Sequence, residues 1–278
     1  MSANTLQQPI SYVLGHSDQE LDRLSRQAEL FGPFTRQLFE QAGITSGMRV
    51  LDIGCGAGDG AFLAAELVGA TGEIVGVDRA PAAVERATAR AKNKGMCNVQ
   101  FVAGDPTSME FDGPFDAMVG RLVLMYFPDP VEAVRKLARH VRPGGLVVFQ
   151  EFDIANCRSL PHAPTFERCI GWIRQTLSLS GARIQLGLEL YPTYLAAGLP
   201  GPRMWMDALI GGGWENPAYA LVADVTKSLL PAMEKLKVAT AAEVQVSILE
   251  ERMRNEVVGL KGVVLSPGLI GAWSRKPT

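Results

Sequence analysis

The chain of 278 residues carries 27 basic and 29 acidic side chains, a formal charge of −2, with 47% hydrophobic and 20% charged residues. That length and balance suit a globular protein with ample core and argue against a partner held through phosphates, whether nucleic acid or an anionic membrane surface. Four cysteines (55, 97, 157 and 169) show neither Cys-x-x-Cys pairing nor zinc spacing, and neither a leader pattern nor a membrane-length apolar stretch is present, so a cytoplasmic protein with no membrane partner is expected.

Residues 1–15 carry no clear pattern. Ser17-Asp18-Gln19-Glu20 has the capping-box form, and Leu21, Leu24, Ala28 and Phe31 then recur at helical spacing. Gly32-Pro33 is expected to end that helix and 34–42 to form another. A short β-prone run, Val50 to Ile53, enters the turn Gly54-Cys55-Gly56-Ala57-Gly58, and 61–68 reads as a helix. Glycines at that spacing allow a tight turn with a ligand lying against bare backbone and helix N–H groups pointing at it. Asp52 separates this turn from a dinucleotide site, where a fixed negative charge beside a pyrophosphate is unfavourable; it suits a ligand with a cationic ammonium group. Residues 73–78 form a second strand tipped by Asp78, placed to accept from ribose hydroxyls. Pro81 opens a helix over 81–94, and a third strand, 99–102, closes on Gly104-Asp105-Pro106, where a carboxylate could accept from an adenine amino group.

A fourth strand, 115–119, reaches its mouth at Gly120-Arg121-Leu122. Asp129-Pro130 caps a helix over 131–140, and Arg142-Pro143-Gly144-Gly145 turns into a fifth strand, 146–152. Strands alternating with helices imply a parallel, doubly wound sheet. The later half reads as helices over 165–179, 189–197, 218–236 and 241–258, with strands over 203–210 and 268–275. About fifty residues separate those last two strands, which implies an insertion capping the cleft.

The three acids at successive strand ends, with Val50 to Gly58, residues 75–78, residues 115–124 and Arg142-Pro-Gly-Gly-Leu146, resemble the class I S-adenosylmethionine-dependent methyltransferases. The likeness is to the small-molecule branch that includes the ubiquinone and menaquinone methyltransferases. It covers residues 10–153 and the remainder only in outline. The resemblance implies a mostly parallel seven-stranded Rossmann-like sheet, divided as N-terminal helices closing the cofactor cleft (1–45), a cofactor-binding core (46–153), and remaining strands plus a helical substrate cap (154–278). It also implies S-adenosylmethionine as cofactor, held by Tyr12, Gln27, Asp52, Gly54, Cys55, Gly56, Asp78, Arg79, Gly104, Asp105, Pro106, Arg121 and Leu122, with Arg23 a further candidate on the first helix.

Transfer from a sulfonium is an in-line displacement, so positioning and exclusion of water can supply much of the acceleration. A base is needed only where the acceptor is a hydroxyl. Glu151, at the end of the fifth strand on the same face as Asp153 and opposite Phe152, is the first candidate, and His16, ahead of the first helix, the second. Gly120-Arg121-Leu122-Val123 lacks the acids and amides that metal-assisted transfer to catechols uses, so metal-free chemistry is expected. Trp172, Tyr191, Tyr194, Met204, Trp205, Met206, Trp214, Tyr219 and Met233 suggest an apolar pocket for a secondary metabolite or quinone-like acceptor. A cap helix could also pair two subunits into a homodimer. Binding of S-adenosylmethionine without methyl transfer, as a non-catalytic protein or to assist a cyclisation, is the alternative that these residues leave open.

Overall fold

The computed structural model describes residues 18–278. Its first element is one helix, α1 (Asp18–Ala42), which continues through Gly32-Pro33. This corrects the expectation of two helices. An internal proline forfeits one N–H bond and crowds the preceding turn. Here Ala28, Phe31, Leu38, Phe39 and Ala42 all bury along one face, and that tertiary packing outweighs the local defect.

β1 (Arg49–Ile53) enters the glycine turn and α2 (Asp59–Val68) leaves it. β2 (Glu73–Asp78), α3 (Pro81–Asn93) and β3 (Val99–Ala103) complete the first half. β4 (Phe115–Arg121), α4 (Pro130–Leu137) and the long β5 (Val141–Asp153) begin the second. The side chain of Asp129 caps α4 by accepting from the Glu132 N–H at 3.0 Å. β1 to β5 pair in parallel in the order β3-β2-β1-β4-β5. The chain reverses its winding direction between β1 and β4, the place where open α/β sheets form a crevice beyond their carboxyl ends.

After β5 come β6 (Arg158–Leu160), α5 (Pro164–Leu179) and α6 (Leu186–Ala196), and β7 (Arg203–Asp207) then returns as an edge strand. The insertion holds β8 (Ile210–Gly211), α7 (Ala218–Lys235), α8 (Ala241–Val244), α9 (Val246–Gly259) and β9 (Val263–Leu265). β10 (Gly268–Arg275) then slots antiparallel between β5 and β7, completing the expected seven-stranded, mostly parallel sheet. The single helix expected over 241–258 is divided, because Gln245 adopts a left-handed conformation at φ 51° just after a capping box built by Thr240 and Glu243. β6, β9 and β8 form a small second sheet, whose strands of two or three residues are too short to show an alternation.

α7 packs on α5 and α9 and also touches α1, where Arg26 pairs with Asp224 at 2.7 Å. Helices α1, α5 and α7 thereby roof the carboxyl ends of β1, β2, β4 and β5. No helix among the described residues is long and apolar enough to cross a membrane.

Candidate functional site

Beneath that roof lies a cavity of about 570 Å³, within the range of roughly 300–1,000 Å³ common for small-molecule sites. Its floor is the glycine turn, with Gly54, Gly56 and Gly58 all at positive φ. A side chain on Gly54 would collide with Val123, whose Cγ2 lies 2.3 Å from the ideal Cβ position, whereas one on Gly56 would meet nothing within 4 Å. Bare backbone is thus required at the first position for packing and leaves an open wall at the second. Asp78 ties the turn to the tip of β2: Oδ2 accepts from the Gly56 N–H and Oδ1 from the Ala80 N–H, each at 2.9 Å.

The electrostatics centre on Asp52, which is 2% exposed. Burial pushes its carboxyl up to about 7, Arg121 opposes that shift and Asp78 adds to it. Its Oδ2 has no hydrogen-bond partner among the described residues. Arg121 also lines the cavity; desolvation lowers its affinity for the proton while Asp59 and Asp52 sustain it. Asp59 is itself braced by Arg90 at 2.7 Å. At the mouth, the Arg79 guanidinium lies 5.0 Å from the Phe127 ring centroid and pairs with Asp105 at 2.8 Å. On α1, Arg23 grips both oxygens of Glu20 at 2.8 and 2.6 Å and donates to Gln27 Oε1 at 2.7 Å. This fork is already engaged within the helix.

Of the residues proposed from the sequence, Gln27, Asp52, Gly54, Cys55, Gly56, Asp78, Arg79, Pro106, Arg121 and Leu122 line this one cavity, as does Arg23. Gly104 and Asp105 do not. Asp105 Oδ1 accepts from the Thr107 N–H and hydroxyl at 2.9 and 2.7 Å while Oδ2 accepts from Arg79. Burial works against its charge, but the Thr107 and Arg79 bonds hold the carboxyl below the usual range. Tyr12 and His16 lie outside the described residues.

Glu151 stands apart from the cavity. Strand alternation separates Glu151 from Phe152, and the cavity takes the Phe152 face. The cap aromatics are likewise elsewhere. Tyr194 is buried and donates to the carbonyls of Val147 and Ala272 at 3.2 and 3.0 Å, Trp205 meets Trp273 edge-on at 5.0 Å, and Trp214 is exposed. The apolar part of the cavity is instead mostly aliphatic, built by Ile170, Ile173 and Leu177 of α5, Leu221, Val222 and Val225 of α7, and Ile154 and Phe152 at the end of β5. Their i, i+3, i+4 and i+7 spacing was the available signal. Among the described residues, no group of three or more His, Cys, Asp or Glu side chains is placed to hold a metal ion.

A family model described as "Methyltransferase domain" matches residues 44–178. The chain is 33% identical over 150 residues to the aklanonic acid methyltransferase DauC of Streptomyces sp. strain C5, covering 54% of this chain and 67% of that one. It is 32% identical over 135 residues to a demethylmenaquinone methyltransferase of Staphylococcus saprophyticus, covering 48% and 54%. The chain thus spans about half to two thirds of the length of these relatives. Among solved structures, phosphoethanolamine N-methyltransferase 2 of Haemonchus contortus, in complex with phosphomonomethylethanolamine and S-adenosylhomocysteine, superposes with a TM-score of 0.57. That likeness, at 16% identity over 88% of this chain and 53% of the other, is one of fold.

Proposed function

The chain belongs to the class I S-adenosylmethionine-dependent methyltransferases, and on that ground we propose that it methylates a small, fairly apolar organic acceptor, such as a secondary metabolite or quinone-like ring, by metal-free in-line displacement. The observation that carries this choice of acceptor is the continuity of one cavity from the glycine turn to an aliphatic chamber between α5, α7 and the end of β5. The acceptors named for two relatives, aklanonic acid and demethylmenaquinone, are small organic molecules and support the same class.

The residues present fit the cofactor. Asp52 offers a buried oxygen without a protein partner to a cationic ammonium group, Gly56 leaves open space against the backbone, and Asp78 stands at the strand tip with oxygens facing the turn. When bound, S-adenosylmethionine supplies a methyl group activated by its sulfonium. In this reading Asp52 and Asp78 hold the two ends of the cofactor, Arg121 holds an anionic group on cofactor or acceptor, and Gln27 closes the site from α1. The aliphatic residues of α5 and α7 exclude water and set the acceptor in line. The proposed setting is cytoplasmic, in accord with four free thiols, and the proposed assembly, a homodimer, is open to sedimentation analysis.

Incubation with methyl-labelled S-adenosylmethionine and a panel of quinone-like, phenolic, amine and peptide acceptors tests the reading. Label is expected in the apolar aromatic acceptors, in step with S-adenosylhomocysteine formation, and is expected to disappear in Asp78→Ala. Transfer confined to charged amines or peptides would refute the proposed acceptor class.

A further inference from the structure

β5 ends in a carboxyl group that the cavity does not use. Glu151 is 0% exposed, and its Oε1 accepts from the backbone N–H of Val123 at 2.9 Å and of Leu124 at 2.7 Å. The Met125 N–H faces the same carboxyl. These donors open a short 3₁₀ turn, Leu124–Tyr126, where helical backbone leaves its first N–H groups without intrahelical partners. Glu151 supplies the partners from a different strand.

The segment held this way is under local strain and faces the site. Leu122 lies at φ 55°, a region disfavoured for a side chain of that size, and its N–H is pinned to the Gln150 carbonyl at 2.8 Å. Leu122, Val123, Met125, Tyr126 and Phe127 form one wall of the cavity. Val123 also fills the space beside Gly54 that a side chain there would need. A continuous line of contact therefore runs from the Glu151 carboxyl through Val123 to the first glycine of the turn.

We propose that Glu151 is a positioning residue: by holding the N–H groups of Val123 and Leu124, it seats residues 122–127 against the glycine turn and so shapes the S-adenosylmethionine site. This inference rests on the methyltransferase reading of the cavity. It replaces the general-base role expected from the sequence, because Oε1 is engaged by backbone and the side chain lies on the strand face opposite Phe152.

The test combines calorimetric titration with S-adenosylhomocysteine and amide hydrogen exchange over residues 122–127. Glu151→Gln keeps an acceptor oxygen and is expected to bind within about twofold of wild type with unchanged exchange at 123–125. Glu151→Ala is expected to bind about tenfold more weakly and to exchange faster at those amides, while the amides of β1 and β4 keep their protection. Should Glu151→Ala fail to fold, Val123→Ala breaks the same line of contact from a half-buried position and is expected to weaken binding about threefold or more. Wild-type affinity and protection in the alanine variant studied, or a loss in Glu151→Gln equal to that in Glu151→Ala, would overturn the proposal. Failure of the wild-type protein itself to bind S-adenosylhomocysteine would instead overturn the reading of the cavity.

Discussion

Replacing Glu151 by glutamine is expected to reverse the sign of a stability difference between mildly acidic and alkaline pH. Burial pushes the Glu151 carboxyl from its ordinary 4.5 up to about 8, against the pull of the Leu124, Val123 and Met125 N–H groups. Its charge is felt in turn by the buried Tyr126 hydroxyl, on which Arg23 and Glu20 also act. Ile270 stands opposite on β10 and Gly187 beside it on α6, and neither brings charge. A raised value in the folded state means that the native chain keeps a proton that the unfolded chain has released above about 4.5. The stabilisation is therefore complete below pH 4.5 and is lost as the pH climbs through about 8. At about 1.4 kcal/mol per unit, the wild type loses at most roughly 5 kcal/mol from this group across that window. Glutamine does not titrate and escapes the loss. It does place amide donors where Oε2 has no partner among the described residues, which costs about 1–3 kcal/mol. The wild type has already lost about 0.8 kcal/mol by pH 5, so the variant should be less stable by about 1–3 kcal/mol near pH 4, by about 0–2 kcal/mol near pH 5, and more stable by about 2–4 kcal/mol near pH 8.5. Urea denaturation of both proteins at half-unit steps reads this directly, since every other titrating group is common to the two. A difference that stays constant with pH, or a variant that falls behind as pH rises, would refute the reasoning.

Asp52, pushed up to about 7 by burial, is expected to surrender its proton when an ammonium group binds beside it. Titration with S-adenosylhomocysteine should release up to about 0.9 proton per site at pH 6 and almost none at pH 8.5. Calorimetry in buffers of different ionisation enthalpy measures that number, and a release independent of pH would contradict it. Ile173→Trp, which fills the aliphatic chamber from α5, is expected to abolish transfer to bulky acceptors while S-adenosylhomocysteine affinity stays within about twofold; equal loss of both would place Ile173 in the cofactor site. Gly54→Ala puts a Cβ 2.3 Å from Val123 at φ 65°, so a fall in stability of about 2–4 kcal/mol together with weaker cofactor binding is expected in denaturation and titration.

Much of the core was legible because its signals are local. Apolar runs ending in glycine or an acid marked β1, β2 and β4, and Asp52 and Asp78, singled out by their positions relative to those strand ends, both line the cavity. What was not legible depends on partners distant in the chain. Alternation separates Glu151 from Phe152, but which of the two faces the cavity follows from how α6, β10 and the 122–127 segment surround β5. The aromatic residues of the later half advertised a pocket by type, whereas Tyr194 in fact fills the core between β5 and β10 and the chamber is mostly aliphatic. Pro33 marked a helix end that burial of Phe31, Leu38 and Phe39 overrides. Asp105 was assigned to an adenine amino group from its strand-end position, yet Thr107, only two residues away, engages that carboxylate.

The most direct test of the central claim is calorimetric titration of the wild-type protein with S-adenosylmethionine, S-adenosylhomocysteine and NADH in parallel. Saturable one-to-one binding of the first two, with Kd on the order of micromolar and no heat from NADH, is the expected result. Binding of NADH with no response to either sulfur compound would contradict the assignment of the cavity, and with it the roles given to Asp52 and Asp78.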